Sequence, residues 1–281
     1  MIDVFLYVAF AIGVAAGRLT RWRSPWVDRA TIADIVALVF FLGILLAALP
    51  AAHLLSAIPL ALGLVGLVLL LTLGLTFVLP RRPPAPGNLR RPRPLGVFIV
   101  VGLVVGYVVG HLITFPGQTA LTVALYVLLL LVGFNLRFSW GALRTTPTPV
   151  VAAIVGALAA APIFSAITGF SLRATFASTL GFGFYSLAGP LVTTAIGPLA
   201  GLVAFLTNFF RENLTMVTAP WVGPRVRAEG LTAMGGATAM DTTLYFVTAY
   251  GDAEAGSMAL GSGLALTVIA SLVVPLVLAI A

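Results

Sequence analysis

Met234-Gly-Gly-Ala-Thr-Ala-Met-Asp-Thr-Thr-Leu244 does not read as a continuous membrane helix, although apolar sequence surrounds it. The adjacent Gly235 and Gly236 weaken a helix, and Thr238, Thr242 and Thr243 offer hydroxyls that can satisfy interrupted backbone inside a bilayer. The stretch also carries Asp241. A second interruption lies upstream in Phe182-Gly-Phe-Tyr-Ser-Leu-Ala-Gly-Pro-Leu-Val-Thr-Thr-Ala-Ile-Gly-Pro198, rich in glycine, proline and hydroxyl side chains. Between the two runs a clean helix of about 200–221, which contains Leu206-Thr-Asn-Phe-Phe-Arg-Glu-Asn-Leu-Thr215 and so Glu212. A charged side chain at the bilayer centre costs roughly 2.5–3.5 kcal/mol. Acids held at that cost face a cavity or a partner and move a proton, an ion or a cationic substrate.

Composition sets the solvent. The 281 residues are 60% hydrophobic and 8% charged, against about 25% charged in a soluble domain. Several apolar runs approach the roughly 20 residues a membrane helix needs, so the chain is polytopic and its main partner is the lipid bilayer. No cysteine is present, which excludes disulfides and thiolate metal sites, and no motif points to a cofactor or to a metal. The basic residues are all arginine, and the net charge of +7 reads as membrane topology rather than as a nucleic-acid surface. His53 and His111 fall at the ends of apolar runs, as interfacial side chains do.

Helices are expected over about 4–17, 32–49, 57–79, 95–113, 119–136 and 150–168, with Asp34 near the start of the second as an N-terminal charge. No positive charge precedes the first, which reads as a membrane helix and not as a signal peptide. Residues 80–94 form a proline-rich linker with five arginines, dividing an N-terminal three-helix segment (1–94) from a transport core (95–281). Gly102, Gly106 and Gly110 make a small-residue row suited to close packing, within the bundle or between two subunits of a homodimer. Pro224 to Gly230 reads as a polar loop, and a last helix runs from about 258. The interruptions fall near 172–200 and 231–253.

Arginine placement orients the chain. With both termini outside, eight full helices and two re-entrant hairpins, 13 of the 15 arginines lie in cytoplasmic loops. If the interrupted stretches cross as discontinuous helices, giving ten crossings, the number falls to 11. Residues of about 172–223 and 231–281 each read as a broken stretch followed by a long helix, entering from opposite sides. The fold class is therefore all-α, with an inverted repeat of the kind found in secondary transporters.

Gly183-Phe-Tyr-Ser-Leu-Ala-Gly-Pro190, Asn208-Phe-Phe-Arg-Glu212 and Gly235-Gly-Ala-Thr-Ala-Met-Asp-Thr-Thr-Leu244, in that order and spacing, resemble the lysine exporter LysO family of small prokaryotic inner-membrane transporters. The resemblance covers about the last third of the chain. It implies export of L-lysine and its analogues, both termini outside, and an essential acid pair at Glu212 and Asp241. Two positions depart from the pattern: Ala188, where a second serine is common, and Tyr245, where proline is common.

Each candidate has a structural alternative. Glu212 could pair with Arg211, although adjacent helical residues point about 100° apart. Asp241 could cap a helix. Asn208, one turn before Glu212 on the same face, could bind substrate or backbone. Tyr185, Ser186, Thr238, Thr242 and Thr243 could line a path or satisfy broken backbone. Lysine carries two ammonium groups and a carboxylate. Two acids suit the former, and half-helix N-termini suit the latter. Because burial disfavours a bare carboxylate, substrate and protons would compete for the same acids. The alternatives are a cation/proton antiporter driven by Na⁺ and an intramembrane aspartyl protease. The protease needs a pair of aspartates, and this region offers an aspartate and a glutamate.

Overall fold

A computed structural model describes residues 4–20, 25–47, 51–78, 95–116, 147–251 and 255–280, with part of 119–134. The proline- and arginine-rich linker lies outside the described residues. Ten helices carry the labels used below: α1 (Val4–Thr20), α2 (Pro25–Ala47), α3 (Ala51–Val78), α4 (Leu95–Leu112), α5 (Pro147–Thr168), α6 (Leu172–Thr179), α7 (Tyr185–Ala195), α8 (Pro198–Gly235), α9 (Leu244–Tyr250) and α10 (Ala255–Ala279). A short 3₁₀ turn, Gly236–Met240, joins α8 to the turn before α9. Among the described residues, Leu54–Val78, Pro147–Thr168 and Ala255–Ala279 are long and apolar enough to cross a membrane. The protein is an all-helical membrane protein.

Helix α2 starts earlier than expected. Pro25 occupies the first helical position, where its fixed φ and missing N–H cost nothing, and the Arg29 guanidinium lies 5.0 Å from the Trp26 ring centroid. The helix thus continues through charged residues that the apolar run alone would leave in a loop. Asp34 is therefore inside α2 and not at its N-terminus.

The glycine row of α4 is used within the bundle. A Cβ at Gly102 would meet the Val36 carbonyl at 3.3 Å, one at Gly106 would strike the Phe40 carbonyl, and one at Gly110 would come within 2.7 Å of Ala47 Cβ. Gly43 reciprocates from α2, where a Cβ would lie 2.7 Å from Tyr107 N. Contacts rising together in both numbers make α2 and α4 a parallel, backbone-close pair. Gly13 and Gly17 bring α1 equally close to Leu130 and Phe134.

The expected polar loop at 224–230 is a single-residue reversal. Helix α8 runs through Pro220 and Pro224 and breaks only at Arg227 (φ 62°, ψ −172°), after which residues 228–235 form a short helix. Gly223 admits the Tyr250 ring, and Gly251 sits against Ala228. Helix α9 thus ends beside the reversal. At the other end of α8, Gly201 packs on Thr193 of α7, and Phe170, just before α6, packs against the cluster that holds Val203 and Leu206. The element order repeats: α6, break, α7 and then the long first part of α8; the 228–235 helix, break, α9 and then long α10.

Each break has its own apolar support. Ala153, Ala157, Ala174, Ala177, Ala188, Ala200 and Ala204 surround Phe182 in one cluster, where small side chains let the helices approach. Ile35, Phe209, Met216, Leu231, Leu244, Phe246 and Met258 share the other.

Candidate functional site

The first break is tied to the middle of α8. Helix α6 is capped by Ser171, whose hydroxyl accepts from Ala174 N at 3.3 Å. The chain then turns through Phe182 (φ 51°) and Gly183 (φ 102°). Gly183 N donates to Asn208 Oδ1 at 2.7 Å. The Asn208 amide donates to the Ser178 carbonyl at 2.9 Å and to the Ala204 carbonyl at 2.8 Å. Asn208 is buried, and these three hydrogen bonds all go to backbone.

The second break is stitched by its own threonines. Gly236 turns with φ 66°. Thr238 Oγ1 donates to the Gly235 carbonyl at 3.0 Å, and Thr243 Oγ1 donates to the Thr238 carbonyl at 2.9 Å. Both hydroxyls thereby satisfy interrupted backbone. Thr242 differs. Its N–H donates to Asp241 Oδ1 at 2.5 Å, and its hydroxyl donates to the same oxygen at 3.2 Å; Thr242 also lies near Glu212. Thr242 therefore holds Asp241 and stands beside Glu212. Glu212 is 2% exposed, and Asp241 is half-buried.

Tyr185, the first residue of α7, lies where both acids act on it electrostatically. Its ring stands edge-on to Phe205 (5.4 Å) and Phe209 (6.4 Å). The Ser186 side chain lies outside the described residues. Tyr245 is the second residue of α9, within the first turn, where a missing backbone N–H breaks no intrahelical bond.

The tips of the two breaks touch. Ala237 N donates to the Phe182 carbonyl at 2.8 Å. A Cβ at Gly183 would meet Thr238 Cγ2 at 3.1 Å, and one at Gly236 would strike the Phe182 carbonyl. Arg211 locks this junction. It is 1% exposed and neither snorkels nor pairs with Glu212. Nε donates to the Met234 carbonyl at 2.8 Å, Nη2 donates to the Ala233 carbonyl at 2.9 Å, and the guanidinium carbon lies 5.8 Å from the Phe182 ring centroid. A cation on the last carbonyls of the 228–235 helix complements its dipole.

Sequence reasoning missed two features. Arg211 was legible only as a neighbour of Glu212, because the carbonyls it serves are more than twenty residues away. Asp34 is half-buried, and its Oδ2 is buried without a hydrogen-bond partner among the described residues. The signal was Pro25, which starts α2 early enough to place Asp34 within the helix.

Residues 97–278 match the family described as lysine exporter LysO. The chain belongs to the lysine exporter LysO family. The matched region contains both breaks, Glu212 and Asp241, while Asp34 lies outside it. The Escherichia coli protein named lysine exporter LysO is 32% identical over 161 residues, 55% of this chain and 52% of that protein. A Haemophilus influenzae protein named putative lysine exporter is 29% identical over 172 residues, 59% of this chain and 87% of that protein. The chain thus aligns with about half the length of the Escherichia coli LysO protein. No solved structure matches.

Proposed function

We propose that this chain is a secondary transporter that exports L-lysine and its analogues across the inner membrane, exchanging them for protons at Glu212 and Asp241. The observation that carries the reading is two acids in apolar surroundings, Glu212 and Asp241, close enough to act on each other beside Thr242. A threonine hydroxyl holds one hydrogen. A hydrogen-bonded chain from Glu212 through Thr242 to Asp241 would close when one acid carries a proton. Two substrate ammonium groups would displace that proton and take one carboxylate each. Tyr185 and its aromatic neighbours would form an apolar wall for the lysine methylenes. The names of the two relatives support lysine as cargo, and a transporter family favours a non-enzymatic role.

Two re-entrant hairpins entering from opposite ends of α8 fit the contacts. Helix α6 is only 8 residues, about 12 Å at 1.5 Å per residue, less than half of the roughly 30 Å hydrocarbon core. Thr193 lies against Gly201 and Phe170 packs against the cluster holding Val203 and Leu206, both in the first part of α8, while Tyr250 lies against Gly223 and Gly251 against Ala228 at its reversal. That arrangement agrees with the arginine distribution of eight full helices, an inverted repeat and both termini outside. The glycine row of α4, occupied by α2, leaves the homodimer without its sequence argument.

The test is counterflow of labelled lysine in proteoliposomes, swept across pH and Na⁺, with arginine and ornithine as competitors. Lysine exchange that responds to an imposed pH gradient and is abolished by Glu212→Gln or Asp241→Asn is the expected result. Full exchange by both variants removes the acids from the mechanism. Na⁺-stimulated proton movement without any amino acid replaces the reading with a cation antiporter.

A further inference from the structure

We propose that the Tyr185 hydroxyl is a specificity-determining ligand of the transport site: its oxygen accepts a hydrogen bond from one substrate ammonium and so tells a primary ammonium from a methylated one. The inference rests on the lysine reading above and goes beyond it by naming the group that distinguishes ammonium ions of equal charge.

The Tyr185 ring is fixed on one face of α8. It stands edge-on to Phe205 at 5.4 Å and to Phe209 at 6.4 Å, and those two rings stack 6.1 Å apart. Phe205, Phe209 and Glu212 follow at spacings of four and three residues, so they share one stripe of the helix. One turn along α7, a Cβ at Gly189 would meet Phe205 Cβ at 3.0 Å, which brings α7 onto the same stripe. The backbone is held as well. Tyr185 N donates to the Gly183 carbonyl at 3.0 Å, and a Cβ at Gly183 would meet Thr238 of the second break at 3.1 Å. Tyr185 therefore stands where α7, α8 and the second break converge, and Glu212 and Asp241 both act on its phenol through space. It is half-buried and not sealed into the core as Phe209 is.

The hydroxyls around it are engaged elsewhere. Thr238 and Thr243 donate to backbone carbonyls, and Thr242 donates to Asp241. The Tyr185 phenol feels both acids without a hydrogen bond to either. A hydroxyl carries one hydrogen and two lone pairs. In the field of two carboxylates its hydrogen turns toward the anions, and the lone pairs are left for an entering cation. A primary ammonium has three N–H donors, enough for a carboxylate and for this oxygen. A dimethylated ammonium keeps the charge with a single N–H, which serves the carboxylate and leaves the phenol oxygen unsatisfied. The acids respond to the charge that the two ions share, and the phenol responds to the donors that they do not.

The experiment is competition of unlabelled lysine, Nε,Nε-dimethyllysine and Nα,Nα-dimethyllysine against labelled lysine counterflow, in wild type, Tyr185→Phe and Tyr185→Leu. Tyr185→Phe keeps the ring and its contacts, so melting in detergent should match wild type. It should weaken lysine about tenfold, the lower end for a hydrogen bond to a charged group, and weaken one of the two dimethyl analogues less than about threefold. The analogue that escapes identifies the ammonium that Tyr185 receives. Tyr185→Leu also loses the ring and should weaken all three. A hydroxyl with a merely structural role would lower melting and shift the three competitors in parallel. An unchanged ratio of lysine to both analogues in Tyr185→Phe, complete failure of both to compete in either protein included, overturns the assignment. So do methylated analogues that outcompete lysine in wild type, because they would assign the cation to the aromatic faces and not to the hydroxyl. Wild type without any lysine counterflow would instead sink the lysine reading itself.

Discussion

Asn208→Ala separates a residue that builds the site from one that binds its cargo. The substitution removes three hydrogen bonds. The Ala204 carbonyl is four residues earlier in the same helix and keeps its helical partner. The Gly183 N–H and the Ser178 carbonyl do not, because both belong to a break in which helical partners are missing. Leaving a buried backbone group unsatisfied costs about 1–3 kcal/mol, so the two together cost about 2–6 kcal/mol. At roughly 2–4 °C per kcal/mol for a chain of this size, melting should fall by about 4–24 °C. Asn208→Asp refines the test. It keeps an acceptor for Gly183 but loses both donations and sets a carboxylate against two carbonyls, so it too should be destabilised. The assay is thermal melting of the purified protein in detergent, paired with lysine counterflow in proteoliposomes. An Asn208→Ala protein that melts like wild type but needs far more lysine would refute the reasoning, because it would make Asn208 a substrate ligand.

Glu212→Gln and Asp241→Asn preserve shape and should leave expression and melting within about 2 °C of wild type while transport falls at least about tenfold; counterflow against a melting control reads both. Gly236→Ala puts a Cβ into the Phe182 carbonyl at φ 66°, so it should lower melting by several degrees and uncouple the two breaks. A glycine that serves only to save space would give no transport loss beyond the stability loss. Gly106→Val pushes α4 off the Phe40 carbonyl and should destabilise the protein by about 1–3 kcal/mol, the usual cost of overpacking, seen as a lower denaturation midpoint. Arg227→Gly should be more stable than Arg227→Ala by about 1–2 kcal/mol, because φ 62° with ψ −172° is a region that side chains disfavour. Comparing these two variants cancels whatever the arginine side chain contributes, and equal melting would remove the strain argument.

The sequence by itself determined the environment and the anomalies. Sixty per cent hydrophobic residues leave a bilayer as the only solvent for most of the chain. Gly235-Gly236 and the glycine- and proline-rich 182–198 stretch mark where a helix cannot continue. Helix interruption is a local backbone property, and such properties are written in neighbouring residues. Charge in an apolar run is also local, so Glu212 and Asp241 stand out against their immediate neighbours alone. The extent of α2 was less legible, because hydropathy sees the apolar run and not the Arg29–Trp26 contact that carries the helix through its polar start.

Tertiary structure alone decided what each polar group does. Asn208 and Thr242 are both neutral hydrogen-bonding residues close to an acid, yet one closes backbone in the first break and the other donates to the Asp241 carboxylate. Nothing in their neighbours distinguishes them. The bonds of Asn208 reach as far as Ser178, and the bond between the breaks joins Phe182 to Ala237. The glycine row of α4 could have faced lipid, another subunit or α2, and only packing chose α2. Arg211 shows the division most clearly: its charge was legible as a cost, but the carbonyls that repay it lie more than twenty residues on, brought back by the reversal at Arg227. Hydrogen bonds and charge pairs depend on distance in space, and in this chain the two breaks that make the site meet only after α8 has folded back on itself.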